Sequence, residues 1–158
     1  MMLVKQSVTI FLVFILAVSF SGCARETEEV KVKKVVTAIQ AAAEEKDIKK
    51  IMTHVSKNYS DPYGYDHEEI RGLLLGYFFR YPKISAYITG LTISVDGASA
   101  KAVFQVVLTS SDKTGSIKDV IPQELGVWDF NVTLEKESGD WKVASAQWEE
   151  AQVALPME

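Results

Sequence analysis

The stretch VWDFNVTLEKESGDWKVASAQW, Val127 to Trp148, decides the fold. Trp128, Phe130, Val132 and Leu134 alternate with Asp129, Asn131, Thr133 and Glu135. That period-2 pattern is the mark of a strand with one face on a core and the other toward water. Ser138-Gly139 breaks it with a tight turn, and Trp141 to Trp148 returns as a closing strand, so the stretch predicts an antiparallel hairpin. By the same alternation Asp129 faces away from the core. Trp141 and Trp148 lie an odd number of residues apart, so a regular strand sends them to opposite faces unless a bulge intervenes.

Reading backward, Ala98 to Thr109 alternates Ala100, Ala102, Phe104, Val106 and Leu108 with Lys101, Val103, Gln105 and Val107. Asp96-Gly97 is a hairpin turn signal joining it to Ile84–Val95, a β-branched run in which Gly90 marks a candidate bulge. Ser110 to Gly126 reads as a long loop. Upstream of Pro82 the period changes to that of helices. Val32, Val35, Val36, Ile39, Ala42 and Ala43 form one stripe. Asp47 is placed to cap a second helix with Ile48, Ile51, Met52 and Val55 on one side. Asp66 followed by Glu69 predicts a capping box, opening a third helix whose apolar face is Ile70, Leu73, Leu74, Tyr77 and Phe78. Helices followed by hairpin-linked strands predict an α+β fold, with N-terminal helices packed on a strongly curved antiparallel sheet.

At the start, Lys5 precedes an apolar run from Val8 to Phe20 that is too short to cross a bilayer as a helix. Small residues then lead to Cys23, the layout of a secretory signal peptide. Phe20-Ser21-Gly22-Cys23 resembles the lipobox of bacterial lipoproteins, with Phe20 where that family prefers leucine. The resemblance implies cleavage before Cys23, a diacylglycerol and palmitate on its thiol and amine, and lipid anchoring on the extracytoplasmic side. That side is periplasmic in a two-membrane host, whether the anchor sits in the cell membrane or the outer membrane. Cys23 is the only cysteine, so no disulfide within the chain is expected. The expected division is residues 1–22 as signal peptide, 23–29 as lipidated cysteine and short tether, 30–150 as one domain and 151–158 as a tail. A chain of net charge −4 lacks the basic footprint of a nucleic-acid binder.

The closing Gly139-Asp140-Trp141-Lys142-Val143, with Trp148-Glu149, is similar to the last strand of nuclear transport factor 2-like domains, a cystatin-like α+β cone. That resemblance spans about Val30 to Glu149. It implies a curved sheet around a long helix, a pocket in the cone, and, in many members, homodimers through the sheet's convex face. It does not decide function, because the same fold serves enzymes and binding modules alike.

Candidate site residues gather after the second helix. Tyr59, Asp61, Tyr63, Tyr65 and His67 are expected near the cone mouth with Trp148, the tyrosines as stacking surfaces and Asp61, Asp66 or His67 as acid or base. Asp61-Pro62, Gly64 and Asp66 also have the composition of turns and a helix cap. His54 flanks its stripe and is expected at the surface. No phosphate loop, nucleophile elbow or Cys/His metal set is present, and nothing in the sequence calls for a cofactor or metal. A non-catalytic domain binding a small amphipathic ligand or an envelope protein is therefore expected. The alternatives are a small cofactor-independent isomerase, dehydratase or hydrolase, and a structural subunit dimerising through its sheet.

Overall fold

The computed structural model describes residues 26–109 and 126–151. The lipobox with Cys23, residues 110–125 of the long loop and residues 152–158 lie outside the described residues.

Helix α1 (Glu28–Glu44) begins where the Thr27 hydroxyl accepts the Val30 N–H, with Glu28 and Glu29 in the first turn, where the helix dipole favours anions. Helix α2 (Ile48–Thr53) is opened by the Asp47 carboxylate, which accepts the Lys50 N–H at 2.9 Å. It ends before Val55, although Val55 continues the apolar stripe. The backbone there pairs with the closing strand instead: Ser56 N–H donates to the Val143 carbonyl, and Val143 N–H to that of His54. Those bonds satisfy groups that another helical turn would otherwise have satisfied. Helix α3 (His67–Arg80) carries both halves of the capping box on Asp66 and Glu69, and ends just before Pro82.

Four strands follow: β1 (Ser85–Asp96), β2 (Ser99–Thr109), β3 (Val127–Glu137) and β4 (Asp140–Glu150). They form one antiparallel sheet in the order β1-β2-β3-β4. The molecule is thus α+β, with helices packed on a four-stranded antiparallel sheet. Two register shifts bend it. One falls between Thr89 and Thr92, at Gly90, whose φ of +64° is cheap only for glycine. The other lies on β4, where Thr133 pairs Ser145 but Leu134 pairs Val143, leaving Ala144 as the extra residue.

That second bulge changes the phase of β4. Trp148 pairs Phe130 and Val143 pairs Leu134, so Trp141 and Trp148 project from the same face. The regular-strand expectation of opposite faces is corrected, and Ala144 is the reason. The core on this face joins Val32, Val36, Ile51, Val55, Ala100, Ala102, Val132, Leu134, Trp141 and Val143. The Glu28 carboxylate accepts Lys136 Nζ and Trp141 Nε1, both at 2.8 Å, and so pins the N-terminal end of α1 to the β3–β4 hairpin. At the other end, Gln40 Nε2 donates to the Ala86 carbonyl and Glu44 accepts the Ala86 N–H, holding α1 against β1. On α3 the inward face is narrower than expected: Phe78 is buried and Ile70, Leu74 and Tyr77 are half-buried, but Leu73 sits at its rim, 40% exposed.

Candidate functional site

The loop between α2 and α3 is organised by one side chain. Asp61 is buried, and its carboxylate accepts the Tyr59 hydroxyl at 2.9 Å, the Tyr63 N–H at 2.9 Å and the Tyr65 N–H at 3.0 Å. Gly64, at φ +88°, closes the turn by donating its N–H to the Asp61 carbonyl. Both carboxylate oxygens of Asp61 are therefore committed to holding the loop. Tyr59 is buried beneath it, and burial, then the hydrogen bond to Asp61, pushes its phenol above the ordinary tyrosine range. Asp66 is committed in the same way, accepting the Glu68 and Glu69 N–H groups as helix cap. The Ser60 N–H donates to the Ala144 carbonyl, so the loop is docked on the bulge of β4.

That docking brings two loop tyrosines to Trp148. The Tyr63 hydroxyl donates to the Trp148 carbonyl and accepts the Trp148 N–H at 3.0 Å. The Tyr63 ring lies 4.5 Å from the Trp148 ring, tilted at 49°, and Tyr65 lies 6.4 Å from it at 15°. Phe130 is the neighbour of Trp148 on β3 and of Phe104 on β2, and the two phenyl rings stack 5.5 Å apart at 3°. Phe104 and Phe130 therefore form one ring pair and Trp148, Tyr65 and Tyr63 a second group, set side by side in an aromatic row by the pairing of Phe130 with Trp148. It crosses the core face of the sheet onto the loop, and none of its rings is fully buried. The sequence places Tyr63, Tyr65 and Trp148 in a candidate site; the structure adds Phe104 and Phe130. Their alternation marks them only as core, and the signal that joins them to Trp148 is the register shift at Ala144.

His67 takes the first helical position of α3, 7% exposed. Its Nδ1 is 3.1 Å from an oxygen of Glu68, an exposed carboxylate. The opposite nitrogen, Nε2, is buried and has no hydrogen-bond partner among the described residues. Asp129 lies on the other face of the sheet, accepting Gln105 Nε2 at 2.9 Å. His54 is half-buried rather than at the surface, and burial, then Lys142, lowers its pKa. Among the described residues no three His, Cys, Asp or Glu side chains converge to hold a metal ion.

A concavity of about 640 Å³ runs between α1 and β1. Val30, Ile88, Leu91 and Ile93 give it an aliphatic lining, and Lys33 and Thr37 lie on its helix side. None of the candidate residues read from the sequence lines it.

No protein-family model matches the chain, and no curated protein sequence matches it either. Solved structures do match in shape. A Nostoc punctiforme protein of unknown function with a cystatin-like fold superimposes with a TM-score of 0.62 at 12% identity, covering 82% of this chain and 94% of that one. A candidate dehydratase of the NTF2-like family from Streptomyces avermitilis gives 0.64 at 14% identity, over 78% of this chain and 95% of that one. Bd1075 of Bdellovibrio bacteriovorus gives 0.64 at 12% identity; the match covers 76% of this chain and only 40% of Bd1075. At such identities the likeness shows a shared fold, the nuclear transport factor 2-like or cystatin-like α+β arrangement, and leaves function to the site.

Proposed function

We propose that the domain binds a small amphipathic molecule against the aromatic row, and that Cys23 anchors it by lipid to the extracytoplasmic face of a membrane. The observation that carries the binding reading is the row itself. Five rings from three strands and a loop lie along one face and remain partly open. Large aromatic surfaces contribute most when covered, and this protein spends a dedicated loop, built on Asp61, to present two of them. Tyrosine hydroxyls beside apolar rings favour a ligand with one polar end. The anchor rests on the lipobox resemblance and on the position of Cys23 a few residues before Thr27, the cap of α1.

Binding is tested with 1-anilinonaphthalene-8-sulfonate, a planar amphipathic dye, followed by its own emission and by quenching of tryptophan. Trp148→Ala should weaken binding about tenfold, the effect of losing one well-placed aromatic contact, while Leu91→Ala in the α1–β1 groove leaves it unchanged. Equal binding by wild type and Trp148→Ala would remove the aromatic row as the site. Anchoring is tested by incorporation of radiolabelled palmitate, expected in the wild type and absent in Cys23→Ala; label retained in that variant refutes lipidation at this residue.

One observation favours a second reading, a cofactor-independent acid–base enzyme. Asp61 and Asp66 are occupied structurally, so among the residues considered as base His67 is left, with Nε2 buried and without a hydrogen-bond partner among the described residues. The Streptomyces neighbour described as a candidate dehydratase points the same way. The discriminating result is turnover of any bound compound that is lost in His67→Gln while its binding persists.

A further inference from the structure

The sheet has two edges, β1 and β4, and the fold closes only one of them. Along β4 the chain that follows α2 takes the outward backbone groups in turn. Val143 exchanges hydrogen bonds with His54 and Ser56, the Ala144 carbonyl accepts the Ser60 N–H, and Trp148 meets the Tyr63 hydroxyl. Along β1 the cover stops early. Gln40 and Glu44 occupy the carbonyl and N–H of Ala86, which therefore point away from β2. Alternation makes Ile88 the next outward residue. Beyond the shift at Gly90, Thr92 pairs Val103 and Ser94 pairs Lys101. The Leu108 N–H donates to Gly126, toward β3, so by alternation Val103 and Lys101 present their backbone to β1. Thr92 and Ser94 thus face β2, which leaves Ile93 and Val95 facing outward. Among the described residues nothing hydrogen-bonds the outward backbone groups of Ile88, Ile93 or Val95. The same stretch walls the groove of about 640 Å³, where Ile88, Leu91 and Ile93 stand opposite Val30, Lys33 and Thr37 of α1.

An unpaired strand edge with a helix-walled groove beside it fits an extended peptide. The partial charges of the outward N–H and C=O groups of Ile93 and Val95 are matched by another strand's backbone. An acyl chain has no such groups, and those of a helix are already spent within it. Alternate side chains of an added strand fall on the groove side. There the lining is aliphatic, the Thr37 hydroxyl is turned back to the Lys33 and Lys34 carbonyls, and Glu29 and Lys33 offset each other in charge. The groove therefore favours uncharged aliphatic side chains. We propose that the β1 edge takes up an extended, aliphatic-rich segment of a partner protein as an added antiparallel strand, with alternate side chains in the α1–β1 groove. The shift at Gly90 argues for such a segment over a second copy. Long flat edges pair with their own kind, whereas a bulge bends the edge and leaves a short run that a flexible segment can follow. This surface lies on the opposite edge of the sheet from Trp148, and the inference depends neither on the aromatic row nor on Cys23.

The probe is a fluorescent short peptide alternating valine and threonine between terminal lysines, titrated against the full chain in detergent micelles by fluorescence anisotropy. In antiparallel pairing directly opposed residues share a face, so the peptide residues that bond Ile93 and Val95 also send their side chains into the groove. Valine should take those positions. Methylating the valine amide nitrogens should therefore weaken binding about tenfold or more, the scale of losing one or two hydrogen bonds. Methylating the threonine amides, which face solvent, should change it less than about twofold. Bound peptide should slow hydrogen exchange at the Ile93 and Val95 amides about tenfold or more, and leave Val143 on the closed edge unchanged. Absence of binding, equal loss from the two methylated peptides, loss from the threonine amides alone, or no protection at Ile93 and Val95 would overturn the inference. So would protection of those amides before peptide is added in a chain that sediments as a dimer, since a second copy would then hold the edge.

Discussion

Replacing Asp61 by alanine separates a structural carboxylate from a chemical one. The side chain is 8% exposed and accepts one phenol and two backbone N–H groups. In Asp61→Ala the buried Tyr59 hydroxyl loses its side-chain partner, and an orphaned buried donor costs about 1–3 kcal/mol. The two amides sit in a loop that water reaches, so they recover part of their loss and cost about 0.5–1 kcal/mol each. The expected destabilisation is about 2–5 kcal/mol, large against the roughly 5–15 kcal/mol that holds a domain of this size. With a urea slope of about 1–3 kcal/mol per molar, the unfolding midpoint read by tryptophan fluorescence should fall by at least about 0.7 M. Tyr59→Phe removes the donor and leaves Asp61 its two backbone partners, at about 1–2 kcal/mol. Because the orphaned phenol is then gone, the double variant should cost about 1–3 kcal/mol less than the sum of the singles. Dye binding should weaken in Asp61→Ala, since Tyr63 and Tyr65 lose the turn that presents them. The reasoning is refuted if Asp61→Ala unfolds within about 0.5 kcal/mol of the wild type, or if the two substitutions are strictly additive.

Three further outcomes follow from other contacts. Hydrogen bonds from Lys136, Lys31 and Trp141 pull the Glu28 carboxyl from 4.5 down to about 2. A carboxyl depressed in the folded state stabilises above its unfolded pKa and loses that contribution as pH falls toward the folded one. The melting-temperature gap between wild type and Glu28→Gln should therefore be full above pH 4.5 and shrink toward pH 2; a gap independent of pH contradicts the assignment. Leu134→Ala, at a side chain with no exposed surface in the centre of the sheet, should cost about 2–5 kcal/mol in urea unfolding, and a loss below about 1 kcal/mol would mean the core is not packed there. Deleting Ala144 removes the phase change on β4 and sends either Trp141 or Trp148 to the far face. One tryptophan should then show red-shifted emission and easy quenching by iodide, whereas unchanged spectra would show that the bulge does not set the phase.

Much of the fold was legible in the sequence because it rests on local chemistry. The capping box of Asp66 and Glu69, the Asp47 cap, the alternation of β3 and the glycine bulge at Gly90 are each written within a few residues, where period and turn preference act. The α+β layering follows from their order. Tertiary structure decided what depends on distant partners. Val55 matches its helical stripe, yet pairs with β4, because Val143 and His54 supply hydrogen bonds that no local pattern encodes. Leu73 belongs to an apolar run, but only packing shows that the face of α3 toward the core is narrow and that Leu75 and Phe79 are left outside it. The candidate site divides along the same line. Tyr63, Tyr65 and Trp148 stand out by residue type, whereas their meeting with Phe130 and Phe104 needs one extra residue at Ala144. A register shift reverses the facing of every side chain beyond it, and nothing in the composition of Ala144 announces one. By itself, then, the sequence determined which segments are helices and strands, because those preferences are short-range. Which side chains share a surface was decided by strand register and helix docking, which arise only when segments far apart in the chain pack together.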